Sequence, residues 1–109
     1  MTKYLQQFKL NIDKEEFFEA HEALEEIWFP RRFDKQTSTK LLKGFINAAV
    51  SFELIKRGRV KQSKKVWATY LKYRQLLFKL DSKDKNNFYI LSRDIDIAYK
   101  DITLKIDHL

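Results

Sequence analysis

Apolar residues recur along this chain at intervals of three and four, the spacing of one face of an α-helix. Tyr4, Leu5 and Phe8 set the first such run and predict a short helix over residues 3–10 that ends near Asn11. Asp13 then stands where an N-cap would, and Glu16 three residues on completes a capping-box-like pair. Phe17, Ala20, Leu24, Ile27 and Trp28 follow. At about 100° per residue they form one apolar arc on a second helix, which Pro30 stops. Residues 31–37 read as a polar connection, with Thr37 or Ser38 as the next cap. From Lys40 to Lys56 the apolar positions run nearly all the way round, the mark of a helix buried on most sides. Its polar exceptions, Asn47, Ser51 and Glu53, need partners if buried and are candidates to face His21 and Glu25. Gly44 admits a close backbone approach, and Arg57-Gly58 reads as a C-cap. A fourth helix over residues 60–80 places Val66, Trp67, Tyr70, Leu71, Leu77 and Phe78 on one broad face. Residues 81–87 read as a loop. Ile95, Tyr99, Ile102 and Ile106 predict a terminal helix from Asp94 or Asp96, although the alternation in Asp94-Ile95-Asp96-Ile97 blurs its start.

This pattern predicts an all-α protein: a compact antiparallel bundle of four to five helices, a single domain over residues 1–109, with the segment from Leu41 to Ile55 at its centre. Composition agrees. Two glycines and one proline are too few for a sandwich or barrel of short strands. A hydrophobic content of 44% argues for a packed core, and the length suits one core rather than two. The absence of cysteine excludes disulfides, thiol nucleophiles and thiolate zinc sites. The first residues lack the apolar stretch of a signal peptide. The stretch from Phe45 to Ile55 is too short and too interrupted to cross a bilayer. The expected setting is the cytoplasm, without membrane association.

The net charge of +7 is unevenly placed. Residues 1–30 hold three basic and seven acidic groups, residues 31–79 fourteen and two, and residues 80–109 five and six. Such polarity suits a protein or anionic partner; alternatively the acidic helix lies beside the basic ones and neutralises them. The densest basic run is Lys56, Arg57, Arg59, Lys61, Lys64 and Lys65, at a helix corner with Trp67, Tyr70 and Tyr73 nearby. It is a candidate anion-binding site, and it carries the alternative that the protein binds nucleic acid non-specifically through phosphates. Against this, Trp67 and Tyr70 lie on the apolar face, and no nucleic-acid motif is present. Solvated lysines are the common state of helix surfaces.

The chemistry-bearing residues concentrate on the second helix. His21 and Glu25 are four apart, Glu22 and Glu25 three apart, and aromatics flank the pair on both sides. Three readings compete. A metal or acid–base site would use His21, Glu22 and Glu25, and would have to recruit Glu53 or Asn47 from elsewhere. The order is His-x-x-x-Glu, where helical di-metal sites repeat Glu-x-x-His on two helices, and the other histidine, His108, stands next to the last residue. A structural reading has His21 bonded to Glu25 or Asn47 across a helix contact, with Trp28 closing the core; removing either partner would then cost on the order of 1–3 kcal/mol. A third reading is a groove for a ligand or peptide, lined by Phe18, His21, Glu25 and Phe29. No cofactor is named by these residues, and the oligomeric state is not encoded in them.

The run Phe17-Phe18-Glu19-Ala20-His21-Glu22-Ala23-Leu24-Glu25-Glu26-Ile27-Trp28, followed by Leu42-Lys43-Gly44-Phe45-Ile46-Asn47-Ala48-Ala49-Val50 and Arg57-Gly58, resembles the family called domain of unknown function 309. The likeness spans residues 17–58, with a weaker echo at residues 93–97. It implies a small all-helical prokaryotic protein and marks Glu19, His21, Glu22, Glu25 and Trp28 as signature positions. It supplies no activity and no catalytic residues. The function expected from sequence is therefore a small binding or scaffold module with a His/Glu-rich helix, rather than an enzyme.

Overall fold

The computed structural model describes residues 2–81 and 83–107, with side chains as far as Lys105. His108 therefore lies outside the described residues. Five α-helices follow one another: α1 (Thr2–Asp13), α2 (Phe17–Trp28), α3 (Thr37–Lys56), α4 (Val60–Arg74) and α5 (Lys85–Asp107). Single 3-10 segments continue α2 over Phe29–Arg31 and α4 over Gln75–Lys79. No strand occurs among the described residues. α3 packs against α2 on one side and α4 on the other, while α5 closes the bundle against α1 and α3. At about 1.5 Å rise per residue, the twenty residues of α3 make a helix of about 30 Å.

The expected centre holds. Leu41, Leu42, Phe45, Ala48, Ala49 and Phe52 of α3 are all buried. Around Phe45 the rings of Phe8, Tyr70 and Phe88 arrive from α1, α4 and α5, with centroids 6.2, 6.3 and 5.6 Å away. A second aromatic chain runs from Phe17 to Phe52 (5.2 Å), on to Trp67 (5.8 Å), and ends in a Trp67–Tyr99 stack at 3.9 Å. Gly44 is buried with its α-carbon side turned to Tyr73: a β-carbon there would stand 2.8 Å from Tyr73 Cβ. That is the close approach the sequence suggested.

The helix ends differ from the sequence reading in instructive ways. Asp13 is no N-cap. It is the last residue of α1 and pairs with Lys9 one turn back at 3.1 Å. α1 instead closes with a C-terminal motif in which the Glu15 amide donates to Ile12 O (3.0 Å) and the Glu16 amide to Asn11 O (2.8 Å). This geometry needs a left-handed residue at its hinge, and Glu15 supplies it with φ 58°. The same motif ends α3 in the expected place. There Gly58, at φ 79°, donates to Ile55 O and Arg59 to Leu54 O. Gln36, not Thr37 or Ser38, occupies the N-cap position of α3, and its amide donates to Asp34 Oδ1 at 3.1 Å.

α5 starts nine residues or more before the expected point. Phe88, Leu91 and Ile95 form its buried stripe, and the misleading aspartates are held by other helices. Asp94 lies 3.3 Å from the Lys9 ammonium of α1, and Asp96 accepts from Arg74 of α4 at 2.9 Å. Phe78 leaves the α4 face, because the 3-10 turn changes the angular register, and is 70% exposed.

Candidate functional site

α2 divides into three faces. Phe17, Ala20 and Leu24 are buried, and Ile27 and Trp28 pack half-buried against the same core. On the α1 side, Glu19, Glu22 and Glu26 line a shallow groove with Gln7, Asn11 and Ala23. On the third face stand Phe18, His21 and Glu25. The three-and-four spacing that suggested one cluster thus serves two faces: Glu22 looks towards α1, while His21 looks towards α3.

His21 Nε2 lies 3.0 Å from Glu25 Oε2, the contact of two residues one turn apart on a single helix. The Phe18 ring meets the imidazole edge-on at 5.9 Å. The expected partners across the helix contact do not engage the pair. Asn47 Nδ2 donates to Lys43 O at 2.8 Å, and Ser51 Oγ to Ala48 O at 2.6 Å, so each satisfies its own helix. What faces His21 instead is a pocket of about 180 Å³, walled by Phe17 and Phe18 of α2 and by Val50, Glu53 and Leu54 of α3, with Arg57 at its edge. Glu53 Oε1 accepts from Arg57 Nε at 2.9 Å across the rim.

Of the residues expected to hold a metal, His21 and Glu53 share this pocket. Glu25 stands beside it on His21, and Glu22 opens onto the other groove. Among the described residues no three histidine or carboxylate side chains converge as a metal site. The four-ligand set His21, Glu22, Glu25 and Glu53 is therefore not assembled.

A model of the family described as Domain of unknown function (DUF309) matches residues 5–66, more than half of the chain. The chain belongs to this family. No curated protein and no solved structure matches it. The DUF309 match runs from α1 into α4, so both walls of the pocket lie inside it, while α5 lies beyond.

In this DUF309 chain Val50 and Leu54 were missed as lining residues, since both read as core, and Arg57 was read as a cap and as part of the basic run rather than as a neighbour of His21. Their signal is present: Val50, Glu53, Leu54 and Arg57 fall at i, i+3, i+4 and i+7, one stripe of α3 that points at α2. Phe29 stands 56% exposed beyond the pocket and does not line it. Trp28 presents its ring edge to Phe29 at 6.5 Å and lies 5.7 Å from the Lys43 ammonium.

The basic corner is exposed at Lys56, Arg57, Arg59, Lys61, Lys64 and Lys65. Arg57 is tied to Glu53, and Lys56 reaches the Glu15 carbonyl at 3.4 Å. No aromatic platform accompanies these charges, because Trp67 and Tyr70 are buried and Tyr73 packs on Gly44. No described helix is long and apolar enough to cross a membrane.

Proposed function

We propose that this protein is a binding module that takes one apolar side chain of a partner polypeptide into the pocket between α2 and α3. The observation that carries this reading is the pocket's size together with its lining. At about 180 Å³ it is close to the ~150 Å³ of an engineered cavity that admits benzene, and it is below the ~300–1,000 Å³ of pockets that enclose whole small molecules. A single ring or branched aliphatic group matches this size. Phe17, Phe18, Val50 and Leu54 supply apolar walls. His21 and the Glu53–Arg57 pair supply polar contacts at the mouth. Glu53 engages only the Nε of Arg57, which leaves the terminal guanidinium nitrogens to meet a backbone carbonyl or a carboxylate beside the anchor.

The test is a nuclear magnetic resonance titration of the whole chain with toluene, indole and isobutyl-bearing peptides. The expected result is shift changes confined to Phe17, Phe18, His21, Val50 and Leu54, abolished by Val50→Trp, which fills the pocket. Changes absent, or spread evenly over the surface of a folded protein, would overturn the reading.

A further inference from the structure

At the other end of α2 the chain turns into α3 through residues 29–36, all of them exposed. Arg32 is sandwiched there: its guanidinium carbon is 3.7 Å from the centroid of Phe29 and 4.5 Å from that of Phe33. Its Nη1 donates to the Phe29 carbonyl at 2.6 Å, which fixes the plane. The result is a preformed stack of ring, guanidinium and ring on the surface. Phe33, its outer member, is 84% exposed, so one π-face of the stack is open.

Cations surround the stack. Arg31, Lys35, Lys40 and Lys43 are exposed, and the Lys43 ammonium sits over the Trp28 ring beside Phe29. Asp34 is the one carboxylate between Phe29 and Gly44, and it is engaged by the Gln36 amide. Glu26, the nearest acid on α2, opens towards α1 instead. Tyr73 packs on Gly44, which brings the end of α4 to the same end of the bundle. Exposed Phe78, with the Lys79 ammonium 5.9 Å from its ring, follows from there.

We infer that this α2–α3 tip binds single-stranded nucleic acid, with an unpaired base stacked on Phe33 and the flanking phosphates held by Arg31, Lys35, Lys40 and Lys43. Exposed rings interleaved with cations are what a single strand needs, because every base offers a π-face and every linkage a charge. A duplex hides its base faces and offers the rings nothing. Exposed aromatics and arginine also suit a protein interface, but three of the four surrounding cations are lysines, in which the centres of such interfaces are depleted. The tip differs from the corner at Lys56 to Lys65, which has charge but no open ring.

The test is fluorescence anisotropy of the full chain with end-labelled oligothymidine of about fifteen nucleotides, a length that covers typical single-strand site sizes. Binding is expected at low salt, accompanied by a change in Trp28 emission. Phe33→Ala, at an exposed position, leaves the melting temperature unchanged and weakens binding about tenfold, the size of one lost base stack. The pair Lys40→Gln and Lys43→Gln lowers the slope of log affinity against log salt by about 1.4, at roughly 0.7 per phosphate contact. Absence of binding at low salt overturns the proposal, as does affinity indifferent to Phe33→Ala. Loss of binding on neutralising Lys61, Lys64 and Lys65, with Phe33→Ala harmless, moves the site to the other corner and equally refutes it. Phe33-dependent capture by phosphatidylserine vesicles, without oligonucleotide binding, replaces it with a membrane surface. Val50→Trp leaves oligonucleotide binding untouched, so this test and that of the pocket fail separately.

Discussion

His21 and Glu25 hold each other at 3.0 Å, with side chains 23% and 44% exposed. An open pair one turn apart on a helix contributes only about 0.3–0.5 kcal/mol. His21→Ala and Glu25→Ala are each expected to lower the melting temperature by no more than about 3 °C, with the double variant close to either single one, because all three lose the same contact. Thermal melts of the three variants check this, and a loss above about 1 kcal/mol in either single variant would restore the cross-helix contact expected from sequence. The proximity of the two residues was legible from their spacing. Their lack of a partner on α3 was not, because Asn47 and Ser51 can always turn back to carbonyls of their own helix, and nothing in the residue types decides between the options. Glu15 was equally hidden. Its left-handed backbone costs an L-residue about 1–2 kcal/mol, against about 0.5–1 kcal/mol for the extra unfolded-state freedom of glycine. Its pair with Lys105 at 3.1 Å is exposed on both sides and adds little. Glu15→Gly is therefore expected to stabilise by about 0.5 kcal/mol, read from urea unfolding; a destabilised variant would show that the Lys105 contact outweighs the strain.

Elements were the most legible level, and their ends the least. The nearly continuous apolar run of α3 announced a central helix, and α2, α4 and α5 all pack on it. The beginning of α5 was obscured because Asp94 and Asp96 broke the hydrophobic period. Their partners, Lys9 and Arg74, lie far away in the chain and become neighbours only on folding. Phe78 was misplaced because a helix that tightens to a 3-10 turn keeps the same sequence pattern while its angular register shifts. Gly44 was legible as a contact and now has a magnitude. Alanine would add about 1 kcal/mol of helix propensity, but its β-carbon would stand 2.8 Å from Tyr73 Cβ, part of a side-chain stem that cannot swing aside. α3 and α4 would have to part along their length, at a cost typical of overpacking, about 1–3 kcal/mol. Gly44→Ala is expected to lower the melting temperature by on the order of 5 °C, and an unchanged or raised value would mean that the two helices yield freely.

At the scale of the molecule, the acidic α2 does not neutralise the basic α3 and α4 by direct pairing. The inter-element ion pairs among the described residues are Lys9–Asp94, Arg74–Asp96 and Lys105–Glu15, and none uses a carboxylate of α2. Most of the positive charge of residues 31–79 is thus left facing solvent. What fastens α5 to α4 includes one buried polar contact, between Tyr70 OH and Ser92 Oγ at 3.0 Å. Burial pushes the Tyr70 phenol well above its ordinary value, the bond to Ser92 countering this in part. The folded protein therefore keeps a proton that the unfolded chain begins to lose near pH 10. Where the unfolded state binds fewer protons, stability falls as pH rises. The contribution of Tyr70 is thus whole below about pH 10 and is lost as pH climbs from there towards the raised value. Lys9, which Asp13 and Asp94 hold above its ordinary value, adds its own loss of stability as pH rises, so the wild-type profile alone mixes two effects. Tyr70→Phe separates them. It should cost about 1 kcal/mol at neutral pH, the net worth of the lost Tyr70–Ser92 bond, since Ser92 can turn back to a carbonyl of α5. That deficit should then shrink between about pH 9.5 and 11, where only the wild type bears the ionisation penalty. Urea unfolding of both proteins across this range measures the difference directly. Parallel profiles would mean that Tyr70 ionises in the folded state as freely as in water, and that the α4–α5 contact opens well before the bundle does.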